Sequence, residues 1–296
     1  MIRIAMLGCD SSHTEAYSEL LHKKDSPFYG KARIEWLWGE DIHQATEKAA
    51  ACGIKQVVQS LDDACLNEAD FFMVLGRYGS SHYIPTKKAI GFGKPIYVDK
   101  PFTNSYSEAI ELKQFAKEKN IPLASFSPLR FSAEVLQLKK SLNKNEMYGA
   151  VISGPAKTDM IKDPRAQQLH FYGIHAVDIL CALYGTGVKK IKADKSEKGI
   201  WVGLEYENGK HATLNMPYNA SEFYHMVVYS KNGVVAQNID PYGTFYEETM
   251  KALLEELAVR NCTRMPIEEA CEGIKLLDSI ESSIHSKEEI KFHETV

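Results

Sequence analysis

The sequence holds no C-x-x-C pair, no internal repeat, no low-complexity segment and no apolar run that approaches the length of a membrane span. It also lacks a complete G-x-G-x-x-G fingerprint and any basic excess. Each absence removes a class. Six cysteines (Cys9, Cys52, Cys65, Cys181, Cys262, Cys271) are scattered over 296 residues, which excludes a disulfide framework and a thiolate zinc site and reads as buried thiols in a reducing compartment. A net charge of −4 with 25% charged residues gives no footprint for nucleic acid. The start, Met1 to Gly8, has neither the length nor the cleavage pattern of a signal peptide. A cytoplasmic protein with no nucleic-acid or membrane partner is expected.

What is present is alternation. Residues 2–7 are a nearly continuous apolar run, the pattern of a strand buried on both faces of a parallel sheet. The run ends in Gly8-Cys9-Asp10-Ser11-Ser12-His13, and Ser12 with Glu15 reads as a capping box opening a helix to about Lys24. Strand, glycine turn and helix N-terminus are the layout in which backbone N–H groups and the helix dipole meet a pyrophosphate. Asp10 and His13, however, stand where the fingerprint has glycine. Further strands are expected over 33–38, 57–58, 69–75, 96–98 and 123–126, with helices after Asp41 to about Ala51, over 61–67, 83–91 and 105–119. Strand alternating with helix over 125 residues predicts a doubly wound parallel sheet. In an NAD site an acid near the end of the second strand binds ribose hydroxyls. Gly39 occupies the expected position, so Glu40 or Asp41 would serve, unless both only cap the next helix. No arginine stands there for a 2′-phosphate, which favours NAD over NADP.

After Pro128 the pattern changes. A helix over 132–142, a strand near 148–153 and a helix over 170–184 precede strands over 188–193, 200–207, 210–216, 223–230 and 234–239. Asn208-Gly209 and Asn232-Gly233 are hairpin dipeptides, so an antiparallel meander is expected, its second face needing a cover such as a partner subunit. Two helices, over 244–260 and 266–286, close the chain. The division is a dinucleotide-binding domain at 1–125 and an α+β substrate and oligomerisation domain at 126–296, with the terminal helices able to pack back on the first.

The stretch Gly93-Lys94-Pro95-Ile96-Tyr97-Val98-Asp99-Lys100-Pro101 carries the chemistry. Open α/β sheets place their sites at strand ends, and Lys100 stands at one, pinned by a following proline. With the Asp70–Leu75 strand and its loop to His82, with Arg130-Phe131, and with Gly173-Ile174-His175-Ala176-Val177-Asp178, this stretch resembles the oxidoreductase family of glucose–fructose oxidoreductase, inositol dehydrogenase and MocA. Asp99-Lys100-Pro101 matches that family's E-K-P, and 173–178 its G-x-H-x-x-D. The resemblance implies a Rossmann domain, then an α/β domain whose open sheet mediates a homodimer or homotetramer, and NAD(P)-linked chemistry on a hydroxyl of a sugar, cyclitol or polyol. It makes Lys100 the group that orients the reacting hydroxyl, His175 the proton carrier and Asp178 its neighbour one helical turn on. Cofactor contacts would fall on Gly8, Cys9, Asp10, Ser11, Ser12, His13, Glu40, Gly76, Arg77, His82, Asp99 and Lys100.

The chain departs from the pattern where it matters. Many members carry an acid four residues before the histidine; here it is Phe171, so Asp178, Asp159 or His170 would have to substitute. Phe171 and Tyr172 would alternatively wall the site or stack on a sugar ring. Lys157, Lys162 and Arg165 precede the histidine helix and suit an anionic substrate, or are simply solvated. A non-redox small-molecule binder with the same fold is the alternative. A metal centre at His170, His175, Asp178 and His225 has poor ligand geometry, because 170 and 175 diverge on a helix.

Overall fold

The computed structural model describes residues 1–141, 146–156, 162–167, 169–220, 223–259 and 265–292; Lys157, Asp159 and Cys262 lie outside them. The chain divides into two compact units, Met1–Phe126 with Tyr246–Ile267, and Ser127–Phe245 with Glu268–Val296.

In the first unit the strands are Ile2–Leu7 (β1), Ala32–Trp38 (β2), Gln56–Val58 (β3), Phe71–Val74 (β4), Ile96–Val98 (β5) and Leu123–Ser125 (β6). All pair in parallel in the order β3-β2-β1-β4-β5-β6. Every residue of β4, β5 and β6 is buried, which is why β4 and β5 read as unbroken apolar runs. Helices His13–His22 (α1), Ile42–Cys52 (α2), Tyr83–Gly91 (α3) and Tyr106–Glu118 (α4) make the crossovers. The order reverses between β1 and β4, so the loops that leave their carboxyl ends, at Gly8 and Gly76, open the crevice that such sheets use for ligands.

In the second unit Ala133–Ser141 (α5) and Ile174–Tyr184 (α6) accompany seven strands: Met147–Ser153 (β7), Val188–Ser196 (β8), Gly199–Tyr206 (β9), His211–Pro217 (β10), Tyr224–Ser230 (β11), Gly233–Ile239 (β12) and Ile290–Lys291 (β13). Their order is β12-β11-β7-β10-β9-β8-β13. The sheet is thus mainly antiparallel, but it is not the expected meander. The Asn-Gly hairpins form where expected, whereas the β10–β11 link has no tight-turn signal, and β7 lies between those strands, parallel to β10 and antiparallel to β11. One face buries Ile200, Val202, Leu204 and Tyr206 of β9 with Leu214 and Met216 of β10. The other exposes Trp201 and Tyr229, and Tyr148 and Val234 are exposed as well.

Three local expectations are corrected. The capping box does not form: Ser12 has helical backbone angles and makes no side-chain cap. Ser11 takes over, its Oγ accepting from His13 N–H at 3.2 Å and its carbonyl from Thr14 N–H at 3.2 Å, while Glu15 pairs with Lys48 instead. The expected helix over 170–184 begins with a π-helical turn, Leu169–Gly173, before α6. The helix expected over 244–260 is Phe245–Ala252 (α7), again followed by a π turn, Leu253–Leu257; the last helix is Ile267–Ser286 (α8).

Gly8 shows how tightly the crevice is built. Its φ is +113°, and a Cβ there would stand 2.4 Å from Gly76 N and 2.7 Å from Leu75 C. Both the backbone angle and the close approach of the β4 end demand glycine. Gly8→Ala is therefore expected to cost more than about 2 kcal/mol, read as a lowered urea midpoint at unchanged slope; a midpoint equal to that of the unaltered protein would contradict this packing.

Candidate active site

The turn after β1 is held by side chains. Gly8 N–H donates to Trp38 O at 2.8 Å, which ties the ends of β1 and β2 together. Cys9 is buried beside Gly39, where a Cβ would meet its sulfur at 2.4 Å. That contact explains why glycine replaces the expected acid at the end of β2: the thiol occupies the space. Burial, then the neighbouring Asp10 charge, pushes the Cys9 thiol up to about 11, so it is a packing group. Asp10 Oδ1 accepts from Arg77 N–H at 2.9 Å, tying the β1 loop to the β4 loop. Asp41 caps α2 by accepting from His43 and Gln44 N–H, and Glu40 is exposed.

The loop after β4 is fixed by His82, which is fully buried. Its Nδ1 lies 2.8 Å from Pro101 O and its Nε2 2.7 Å from Gly76 O. Both ring nitrogens are thus spent on backbone carbonyls, and His82 clamps the Gly76 loop to the segment after Lys100.

At the end of β5 a charge cluster is buried. Asp99 and Lys100 are 2% and 7% exposed. Burial alone would push the Asp99 carboxyl up, but the His13 ring, 2.6 Å away through Nδ1, outweighs it together with Lys100 and His82 and holds the group at about 2. Tyr97 OH donates weakly to Asp99 Oδ1 at 3.4 Å. Lys100 is lowered from the usual lysine range, chiefly by burial, with Asp99 opposing and Arg77 adding to the shift. His13 also packs edge-on against Tyr17 and Tyr246. The side chain at the third fingerprint position is therefore part of this cluster.

This turn retains what a dinucleotide needs of the backbone: a glycine with positive φ at the strand end, a helix starting at His13, and a second glycine loop alongside. Asp10 directs one carboxylate oxygen to a backbone donor, and the Arg77 and Lys100 cations belong to the same unit. The residues fit the group, with Asp10 as the discordant member.

In the second unit the residues gather around Asp178, which is 4% exposed on α6. Its Oδ2 accepts from Ser127 N–H at 3.0 Å and from Arg130 Nε–H at 3.1 Å. Arg130 also donates from Nη2 to Glu269 at 2.8 Å. Burial, reinforced by the Glu269 charge and opposed by Arg130, pushes the Asp178 carboxyl up to about 6. His175 lies at the start of α6, its Nδ1 2.6 Å from Ser127 Oγ. Asp178 thus touches the residue that touches His175. His170 is engaged elsewhere, its Nε2 2.9 Å from Asp278 Oδ1. Phe171 is buried edge-on to Tyr172. Arg165 pairs with Asp163 and Lys162 is exposed. Among the described residues no group of three or more His, Cys, Asp or Glu side chains is arranged to hold a metal.

Sequence reasoning missed Ser127 and Glu269. Ser127-Pro128 is a helix-start signal, and Ser127 does cap the short 3₁₀ turn Pro128–Phe131, so this signal was there to be read. Glu269, 139 residues from Arg130, offers none.

Residues 2–125 match the model of the oxidoreductase family with an NAD-binding Rossmann fold. An uncharacterised oxidoreductase of Schizosaccharomyces pombe is 27% identical over 196 residues, 62% of this chain and 52% of its own length. The chain thus spans about half of that relative. A solved oxidoreductase from Agrobacterium radiobacter, in complex with NAD+, L-tartaric acid and magnesium, matches with a TM-score of 0.78 at 16% identity, covering 100% of this chain and 99% of its own. Apo scyllo-inositol dehydrogenase from Lactobacillus casei matches at 0.82 and 11% identity, covering 99% of both. At these identities the structures establish the fold. The α/β class with its two sheets, the family resemblance and the NAD-binding type of the first unit agree with what the sequence implied.

The buried carboxylate sets a pH dependence. The Asp99 carboxyl is lower when folded than in the unfolded chain, so the stability it contributes is present above about pH 4 and is lost as pH falls toward about 2. The amount is about 2 kcal/mol. Urea midpoints measured between pH 5 and pH 2 are expected to fall more steeply for the unaltered protein than for Asp99→Asn; equal slopes would refute this assignment.

Proposed function

We infer, from the match of residues 2–125 to the model of the oxidoreductase family with an NAD-binding Rossmann fold, that this chain is an NAD-dependent dehydrogenase or reductase acting on a hydroxyl or carbonyl of a sugar-like or polyol small molecule in the cytoplasm. The observation that carries the reading is Lys100, an ammonium buried at the carboxyl end of β5 beside an ionised Asp99. A buried lysine kept next to a carboxylate is an oriented donor, and strand ends of this kind of sheet are where the fold places ligands.

The nicotinamide, when bound, supplies or removes the hydride. Gly8, Cys9, Asp10, Ser11, Ser12 and His13 would hold the dinucleotide from the β1 turn, with Glu40 toward the ribose and Gly76, Arg77, Asp99 and Lys100 beside it. The exposed Glu40 carboxylate disfavours a 2′-phosphate, hence NAD over NADP. Lys100 donates to the reacting oxygen and opposes the negative charge that grows on it during carbonyl reduction. His175 would serve as the proton carrier, and Asp178 acts through Ser127, which it holds by the backbone. A non-redox binding role is favoured by one observation only, the Asp10 carboxylate at the phosphate-facing turn. The exposed Trp201 and Tyr229 face of the second sheet suits burial against a second copy of the chain.

Two outcomes are expected. In a screen of polyols and sugars with NAD, or of their carbonyl forms with NADH, Lys100→Met is expected to lower kcat/KM by about 10³-fold in a folded protein; turnover surviving that change would remove this mechanism. Light scattering is expected to show a homo-oligomer that Trp201→Glu with Tyr229→Glu dissociates, whereas a monomeric unaltered protein would contradict the role given to the sheet.

A further inference from the structure

The fold brings a buried hydroxyl to the His175 ring. Ser127 is fully buried and its polar groups are committed. Its N–H donates to Asp178 Oδ2 at 3.0 Å, and its carbonyl accepts from Arg130 N–H at 3.1 Å. Its Oγ accepts from Leu129 N–H at 3.2 Å and lies 2.6 Å from His175 Nδ1. A hydroxyl has one proton to give. Leu129 already donates to this oxygen, and burial removes water as an outlet. Among the described residues the acceptor within reach is His175 Nδ1. We propose that Ser127 is a positioning residue that donates to His175 Nδ1 and thereby fixes the neutral ring as its Nε2–H tautomer.

A carboxylate partner would do the reverse. It only accepts, so it draws the proton to Nδ1 and leaves Nε2 as a bare base ready for a hydroxyl proton. An amide or hydroxyl donor at Nδ1 instead selects the ring that is the wrong tautomer for a base. Resting on the oxidoreductase reading above, the consequence concerns the path of the proton. The neutral ring offers Nε2–H as a hydrogen-bond donor to a carbonyl oxygen. As the carbonyl carbon takes up hydride, the π electron pair of the C=O bond moves onto that oxygen. For the proton itself to leave, the ring first takes up a second proton from solvent at Nδ1; that doubly protonated ring gives its Nε2 proton to the oxygen, and the neutral Nδ1–H ring that remains donates to Ser127 Oγ. Alcohol oxidation needs a vacant Nε2 at the outset, which is the tautomer that Ser127 disfavours. Oxidation from the neutral ring thus begins with a tautomer shift, and reduction ends in that same Nδ1–H ring, which shifts back before the next turnover.

The first test needs neither cofactor nor turnover, so it fails or succeeds separately from the oxidoreductase reading. Long-range ¹H–¹⁵N correlation of the imidazole rings in labelled protein, with His175 assigned by loss of its signals in His175→Gln, reports which nitrogen is protonated. Across the titration of the ring, the neutral form is expected to show a protonated Nε2 and a hydrogen-bonded, unprotonated Nδ1. Ser127→Ala is expected to move the Nδ1 resonance toward that of an unbonded nitrogen. A neutral ring protonated on Nδ1, or an Nδ1 resonance unmoved by Ser127→Ala, would overturn the proposal. In reduction assays Ser127→Ala is expected to lower kcat about tenfold with KM changed less than about threefold, and Ser127→Thr to restore it. An unchanged kcat in Ser127→Ala would likewise overturn it.

Discussion

An ionised carboxylate cannot be buried without donors and countercharge around it, and Asp99 is the point at which the first unit meets that requirement. An uncompensated buried charge costs several kcal/mol, more than most single contacts return. Its partners therefore come from separate parts of the chain: His13 from the first turn of α1, Lys100 from the next position in sequence, and Tyr97 from the strand itself. His82, whose charge also bears on Asp99, closes the arrangement by holding the Gly76 loop to Pro101. Once this cluster is in place, the β1 turn, the β4 loop and the end of β5 have little freedom left. The same constraint gives Lys100 its character, since the ammonium is buried and yet stands beside the carboxylate that keeps it charged.

The second unit repeats the logic with a different outcome. Asp178 is as deeply buried as Asp99, but a second acid, Glu269, shares its arginine. Burial, reinforced by the Glu269 charge and only partly offset by Arg130, therefore raises this carboxyl rather than lowering it. Two of the hydrogen bonds it accepts define the conformation of Ser127 and the side chain of Arg130, so its contribution to the site is geometric. The histidine is linked to it through the serine. A hydroxyl intermediary differs from a carboxylate in one decisive respect: it can donate.

Regular structure was legible because it follows from local pattern. The unbroken apolar strands, the glycine turn at Gly8 and the strand–helix alternation predict a doubly wound sheet before any contact is known, and Lys100 is marked by its place at a strand end. The Asn208-Gly209 and Asn232-Gly233 hairpins were equally plain. The insertion of β7 between β10 and β11 was not, because strand order in a mixed sheet depends on pairing between distant segments. The same distance hides the site's partners. Ser127 meets His175 across 48 residues, and Arg130 meets Glu269 across 139. Gly39 and Ser11 show a subtler limit: a sulfur packed against a backbone displaced the expected acid, and a shift of one residue in the helix cap released Glu15 to Lys48.

The account turns on whether a β1 turn carrying Asp10 and His13 accepts a dinucleotide. Calorimetric titration of the purified protein with NADH, and separately with NADPH, addresses this most directly. The account requires saturable NADH binding with a dissociation constant of roughly 1–100 μM, and weaker binding of NADPH. A folded protein that binds neither at about millimolar concentration, the weak end of that affinity scale, would contradict it.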